Sequence, residues 1–528
     1  MQKLNTYTDF TAYCFQNLLC RIALMNISLY IEPIKNSAEL IETLLIQEFE
    51  VTDKFAKILF QKKIQHHIEK LKDDIYLVAE TNYIDRVYRD SYYHYYSSKL
   101  AAYKRNCIRI SLFDVEIEAG DFRLEEKRHK LQDAYLGFFV LRPIEPHIVG
   151  RSIISPKALK TTDFQVCTAS YHNTVNTVKL SVDAFPHSSQ DTETISCAET
   201  TLWAMMEYFS NRYAEYKPLL PSKIIQTLNK VTSERQVPSK GLNIQQMSFA
   251  LKEYGFGTRI YSRSQYPHEF DRLISCYAES GIPVIIAMED FAGIGHALLC
   301  IGHETVKSTH IDALGAHQFQ DGVLKDRANS KNITLYDYDS IEKEFIYIDD
   351  NQPVYQKALL SKLAAHYHAS WDNCKITHFI VPLYTKIYLE AYEAKNFIAR
   401  FLIGGPEPLN NDTEVLLRTY LASSRSFKDV LATNASFSSD LKDLILELAM
   451  PKFIWVTEIS NKELIKNKNA NGIIILDATE ANIIFNKPLI IAAYQSKVIN
   501  FEADSKKLEK NDLPLNDFKI FENNLTSY

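Results

Sequence analysis

Ser196-Cys197-Ala198-Glu199 and the apolar residues behind it, Leu202, Met205, Met206 and Phe209, decide how the middle of this chain is read. The Ser-x-x-Glu spacing is a capping box, so Ser196 is expected as the N-cap of a helix and Cys197 as its first residue. At that position unpaired backbone N–H groups and the positive end of the helix dipole favour a thiolate, the nucleophilic form of cysteine. Working outward, a helical period recurs over 196–213, 221–231, 244–254 and 268–279. Buried-strand patterns follow over 282–288, 296–302 and 345–349, so helices come first and a sheet after them.

On both sides the pattern changes. The first ~125 residues read as mainly helical, with 38–47 and 53–71 carrying apolar residues three and four apart. Tyr88, Tyr92, Tyr96 and Tyr103 fall on one helical face and are expected to pack in a core rather than to stack on nucleic-acid bases. From about Tyr135 the period is two, over 135–141, 164–168 and 177–182. After Ile387 a helix over 388–401 runs through Gly404-Gly405-Pro406 into a last region, with helices expected over 413–421 and 439–450 and strands over 453–456, 472–476 and 489–493. The expected class is α+β in three parts. These are an N-terminal region 1–180, helical then β-rich, a central domain 181–387 with helices packed on an antiparallel sheet, and a small α+β domain 388–528.

Composition supports a folded, multidomain chain. The 528 residues are 46% hydrophobic and 23% charged, with only 15 Gly and 17 Pro, which excludes disordered and collagen-like classes. A balance of 59 basic against 65 acidic residues leaves a net charge of -6, so nucleic acid is not the expected partner. The most apolar N-terminal run, 15–31, is interrupted by Arg21 and Asn26, and no membrane span is expected. The opening Met1-Gln2-Lys3-Leu4-Asn5 lacks the pattern of a secretory signal, which makes the expectation cytoplasmic. The eight cysteines form no C-x-x-C pair and read as reduced thiols. His66-His67, His310, His317, His366 and His368 lack metal-site spacing, and no Gly-rich phosphate loop follows a strand, so neither metal nor cofactor is expected.

Cys197 has chemical company. In Gly293-Ile294-Gly295-His296-Ala297-Leu298-Leu299-Cys300-Ile301-Gly302 a histidine stands at the start of an apolar strand, placed to act as general base toward a thiol. The next strand, Phe345-Ile346-Tyr347-Ile348, ends in Asp349-Asp350-Asn351, whose carboxylates can orient an imidazole. Gln190, seven positions before Cys197, can donate to an oxyanion beside the thiol. Asp350 competes with Asp349, because a register error of one residue exchanges them. His303 competes with His296 but falls on the opposite face of a regular strand.

This order, Gln190, Cys197, His296 and Asp349, resembles the papain-like cysteine peptidase superfamily, nearest the bacterial branch that includes bacteriocin leader peptidases. The resemblance covers 185–385, with further matches at Gly241-Leu242, Gly281-Ile282-Pro283-Val284-Ile285-Ile286 and Tyr347-Ile348-Asp349. It implies a papain-like central domain with Cys197 as nucleophile, His296 as base, Asp349 as orienter and Gln190 as oxyanion donor. Three departures stand in the sequence. Ala198 replaces the usual glycine, Gln190 lies seven rather than six residues before the cysteine, and a long insertion separates His296 from Asp349. The expected function is acyl transfer through a Cys197 thioester, hydrolysing a peptide or isopeptide bond of a protein or peptide substrate. The flanking regions are expected to select the substrate or a protein partner. Transglutaminase or deamidase chemistry on the same triad, and a catalytically silent scaffold, remain as alternatives.

Overall fold

The computed structural model describes residues 28–290, 293, 295–367, 371, 373–502 and 507–528. Cys14, Cys20 and most of the apolar run 15–31 lie outside the described residues. The class is mixed α+β with largely antiparallel sheets. Among the described residues no helix is long and apolar enough to cross a membrane. The chain forms two compact units that interleave along the sequence. The first takes the residues up to Thr162, Ala169–Gly241 and Asp350–Val354, and the second takes Asp163–Thr168, Leu242–Asp349 and Tyr355–Tyr528.

The first unit is built on a seven-stranded antiparallel sheet in the order Leu29–Pro33, Tyr76–Tyr83, Cys107–Phe113, Tyr135–Leu141, Val149–Ile154, Val178–His187, Ala169–Val175. Three of these strands fall in the stretch expected to be mainly helical, and for Cys107–Phe113 the reason is burial. Every residue of Cys107–Phe113 is buried, so the strand shows no alternation from which a period of two can be read. The sheet encloses a charged pair, Glu80 and Arg109, where Arg109 Nε donates to Glu80 Oε2 at 2.8 Å and the guanidinium lies 4.4 Å from the Tyr83 ring. The tyrosine-rich stretch forms the helix Arg86–His94 and a 3-10 turn, Tyr96–Ser98. Tyr88 and Tyr96 are buried, with ring centroids 6.2 Å apart, and Tyr103 packs 4.8 Å from Tyr96. The helix Cys197–Arg212 packs on Ala169–Val175 and Val178–His187, and Phe185 stacks on Tyr208 at 4.9 Å.

The second unit holds two larger sheets. One runs Gln356–Ala358, Phe345–Ile348, Gly295–Glu304, Val284–Glu289, Lys375–Tyr384, Phe256–Ser262, all antiparallel, with Phe164–Val166 also pairing to Gly295–Glu304. A Cβ on Gly302 would stand 2.0 Å from the Gln165 carbonyl oxygen, so this pairing requires glycine. The other sheet runs Thr334–Asp337, Glu414–Ser423, Phe453–Ser460, Gly472–Asp477, Leu489–Tyr494, Lys497–Glu502, Lys507–Asp512, parallel only at its first pair. The helices Phe270–Glu279 and Ala391–Gly404 share one core with both sheets through Phe270, Tyr277, Phe401, Phe379 and Trp455.

The helix expected over 413–421 is instead the strand Glu414–Ser423. Its two faces are buried in different cores, Leu421 in one and Tyr420 with Ala422 in the other, and the near-continuous apolar run that results imitates a helix. Elsewhere in this unit the helices Ile244–Glu253, Phe270–Glu279 and Ser439–Glu447 fall within or close to the stretches where the period places them.

A buried charge network lies beside the second sheet. Lys395 Nζ donates to Asp337 Oδ1 at 2.8 Å and also contacts Asp339, while Arg272 reaches Asp337 Oδ2 at 3.3 Å. Arg272 also donates to His317 Nδ1, so that nitrogen acts as an acceptor and the ring is neutral. Burial and the neighbouring guanidinium lower the His317 pKa to about 4. An unfolded chain takes up this proton near pH 6.5, whereas the folded one refuses it until about 4, so stability present above pH 6.5 is lost as the pH falls toward 4. The loss between pH 7 and pH 4.5 is expected to be about 2 kcal/mol. Urea unfolding of His317→Gln at both pH values should show a correspondingly shallower decline, and parallel declines in the two proteins would refute the assignment.

Candidate active site

Cys197 is the first residue of the helix Cys197–Arg212, capped by Ser196. The Glu199 carboxylate accepts from the Ser196 backbone N–H at 3.1 Å and, on its other oxygen, from the Ser239 hydroxyl at 2.7 Å. Glu199 is buried, so the helix start is held from inside the first unit. Asp191 anchors the turn before it, its Oδ1 accepting from the backbone N–H groups of Glu193, Thr194 and Ile195 at 3.0, 2.7 and 2.9 Å. Cys197 itself is half-buried. Gln190 belongs to the same unit, and its Nε2 donates to the Asn351 side-chain oxygen at 2.9 Å.

In the second unit His296 sits on the strand Gly295–Glu304, directly opposite Met288 of the neighbouring strand. Asp349 follows the strand Phe345–Ile348, two strands along the same sheet from Val284–Glu289. Both side chains are buried, and His296 Nε2 lies 3.0 Å from Asp349 Oδ1. A carboxylate oxygen at this distance accepts, so Nε2 carries the proton and Nδ1 is the basic nitrogen of the neutral ring.

One participant was not anticipated. The Tyr367 hydroxyl donates to Asp349 Oδ2 and stands 3.0 Å from His296 Nε2, closing a three-membered hydrogen-bonded ring. Trp371 stacks on Tyr367 at 5.2 Å, with its ring centroid 6.1 Å from that of His296. Tyr367 follows the 3-10 segment Leu360–His366, outside any regular element, so no periodic signal marks it. Its contacts with His296 and Asp349 arise only through folding.

His303 is occupied elsewhere. Its Nε2 lies 2.8 Å from Glu279 Oε2 and its Nδ1 lies 2.7 Å from the Glu304 carbonyl oxygen, inside the core of the second unit. Although burial opposes ionisation, Arg418 and His303 hold the Glu279 carboxyl well below the usual range. This imidazole therefore belongs to a structural ion cluster.

The thiols divide by environment. Burial pushes Cys107 and Cys276 well above the ordinary thiol range and Cys300 up to about 12. Cys374 is half-buried like Cys197, and burial together with Asp290 raises its pKa while His296 opposes the rise. Comparison with known proteins matches this chain to no family model and to no curated protein.

Proposed function

We propose that this protein carries out thiol-dependent acyl transfer, with Cys197 as nucleophile, His296 as base, Asp349 as orienter of the base and Gln190 as oxyanion donor. The observation that carries the reading is the His296–Asp349 pair, in which a buried carboxylate 3.0 Å from Nε2 fixes the tautomer whose Nδ1 accepts a proton. The half-buried thiol at a capped helix start adds to it, because attack needs an accessible sulfur. In the acylation step Sγ attacks the carbonyl carbon, the thiol proton passes to Nδ1, and the imidazolium then protonates the leaving amine. Water taken through the same base completes hydrolysis of a peptide or isopeptide bond. A papain-like central domain acting on a protein or peptide is the form this reading takes.

The union of thiol and imidazole is tested by alkylation. Iodoacetamide at pH 5.5 should modify Cys197 at least about tenfold faster than Cys374 and far faster than Cys276 or Cys300, as read by peptide mass spectrometry. In His296→Ala the acidic arm of the Cys197 rate profile should collapse toward that of an ordinary thiol. A Cys197 rate equal to that of Cys374 and unchanged by His296→Ala would remove the nucleophile and favour a scaffold.

A further inference from the structure

In the first unit a cavity of about 110 Å³ is lined by Lys62, Lys63, His66, His67, His147, Ser189, Asp350 and Asn351, over the apolar Ile148 and Val149. The volume is several times what one water needs. Its cations come from two segments. Lys62 and Lys63 stand on Phe60–Ile64, a π-helical turn closed by the Gln65 N–H bond to the Phe60 carbonyl, and His66 and His67 follow on Gln65–Ile68. Such turns in a helix are frequent at binding sites. His147 enters from the chain before the strand Val149–Ile154. Among the described residues neither Lys62 nor Lys63 takes part in an ion pair, although ion pairs occupy many lysines elsewhere in the chain.

Burial and neighbouring groups lower the imidazoles here. His66 is lowered by burial and by Lys63, with Glu69 opposing. His147 is lowered by burial, Arg142 and Lys63, with Asp191 opposing. His67 is pushed well down by burial and by His187 and His66, its ring lying 4.3 Å from the His66 ring and 5.8 Å from the His187 ring. A bound anion would offset the repulsion from Lys63. A metal ion is not proposed for this cavity, whose lining shares only Asp350 with the group of possible ligands that includes His296 and Asp349. Two adjacent lysines would also repel a cation.

The chemistry of the lining separates one oxyanion from another. No arginine is present to grip a carboxylate with two parallel bonds, whereas lysines bind phosphate as point charges. Asp350 is buried and lines the same cavity, where it would repel any fully ionised anion. A phosphate group that retains one proton escapes this conflict, since its P–O–H donates to the carboxylate while its other oxygens accept from the cations. Sulfate has no such proton at neutral pH.

We propose that this cavity binds a phosphate group carrying one proton, free or as the head of a small monoester, with Lys62 and Lys63 neutralising it, His66, His67 and His147 donating to it and Asp350 accepting its proton. The assignment does not rest on the acyl-transfer reading.

The test is isothermal titration of the full chain at pH 6.5 with inorganic phosphate, sodium sulfate and phenyl phosphate. Inorganic phosphate should bind at least about tenfold more tightly than sulfate, and Lys62→Ala and Lys63→Ala should each weaken it about tenfold with the unfolding temperature unchanged. Asp350→Asn should let sulfate bind nearly as well as phosphate, because an amide donates where the carboxylate repelled. Phenyl phosphate binding as well as the free ion identifies a monoester as the source, and its exclusion identifies the free ion. Undetectable phosphate binding, or equal affinity for phosphate and sulfate in the unaltered protein, overturns the proposal.

Discussion

Asparagine in place of Asp349 should lower the rate at which p-nitrophenyl acetate acylates Cys197 by two to four orders of magnitude, the range of about 10² to 10⁴ that a correctly held base supplies. The loss follows from hydrogen-bond polarity. Asp349 accepts from His296 Nε2 at 3.0 Å, and Tyr367 donates to its second oxygen. The asparagine oxygen stays with the tyrosine donor, so its amide N–H faces Nε2. The ring must then carry its proton on Nδ1 and can no longer take one from the thiol. The side chains are nearly isosteric, so the unfolding temperature should hold. Asp350→Asn should change the same rate by less than about threefold, since the hydrogen bond between Asp349 and His296 is retained. Burst kinetics of p-nitrophenolate release measure both variants, and the reverse ranking would move the orienting role to Asp350. If Cys197→Ala, His296→Ala and Asp349→Asn all leave acylation unchanged, the scaffold reading prevails.

Arg418→Met should destabilise the second unit by about 3–5 kcal/mol, the usual cost of removing one partner from a buried ion cluster. Arg418 Nε donates to Glu279 Oε1 at 2.9 Å, and Nη1 donates to Glu458 Oε2 at 2.7 Å and to the Phe521 carbonyl at 2.8 Å. All three charged side chains are buried. Methionine fills much of the volume but leaves two carboxylates facing a site without its central cation. His303 still pairs with Glu279, so the burden falls on Glu458, whose carboxyl burial already raises despite Arg418. Without the guanidinium, Glu458 should take a proton more readily in the folded state than in the unfolded one. The deficit is therefore fully present at neutral pH and shrinks as the pH falls toward 5. Urea unfolding at pH 7.5 and pH 5.5 checks this, and a deficit that is small or independent of pH would show that the cluster contributes little.

Much of the local structure is legible in the sequence. The Ser196–Glu199 capping box fixes a helix start from four adjacent residues, because both partners of its hydrogen bonds lie within one turn. Amphipathic stretches such as Phe270–Glu279 declare themselves because one face meets a core and the other does not. Cys107–Phe113 and Glu414–Ser423 did not declare themselves. Each is buried on both faces, and a strand without a solvated face loses its period.

By itself, the sequence determined the α+β class and the capped helix that begins at Cys197, and it named a short set of candidate site residues. These depend on neighbours a few positions away. Tertiary structure alone decided that Asp349 holds His296 from 53 positions away, that Tyr367 closes the ring from 71 positions away and that His303 belongs to a structural cluster instead. It also decided that Lys62, Lys63 and His147 share a cavity with Asp350. A hydrogen bond needs its atoms about 3 Å apart, and for residues far separated along the chain only the packing of sheets and helices sets that distance.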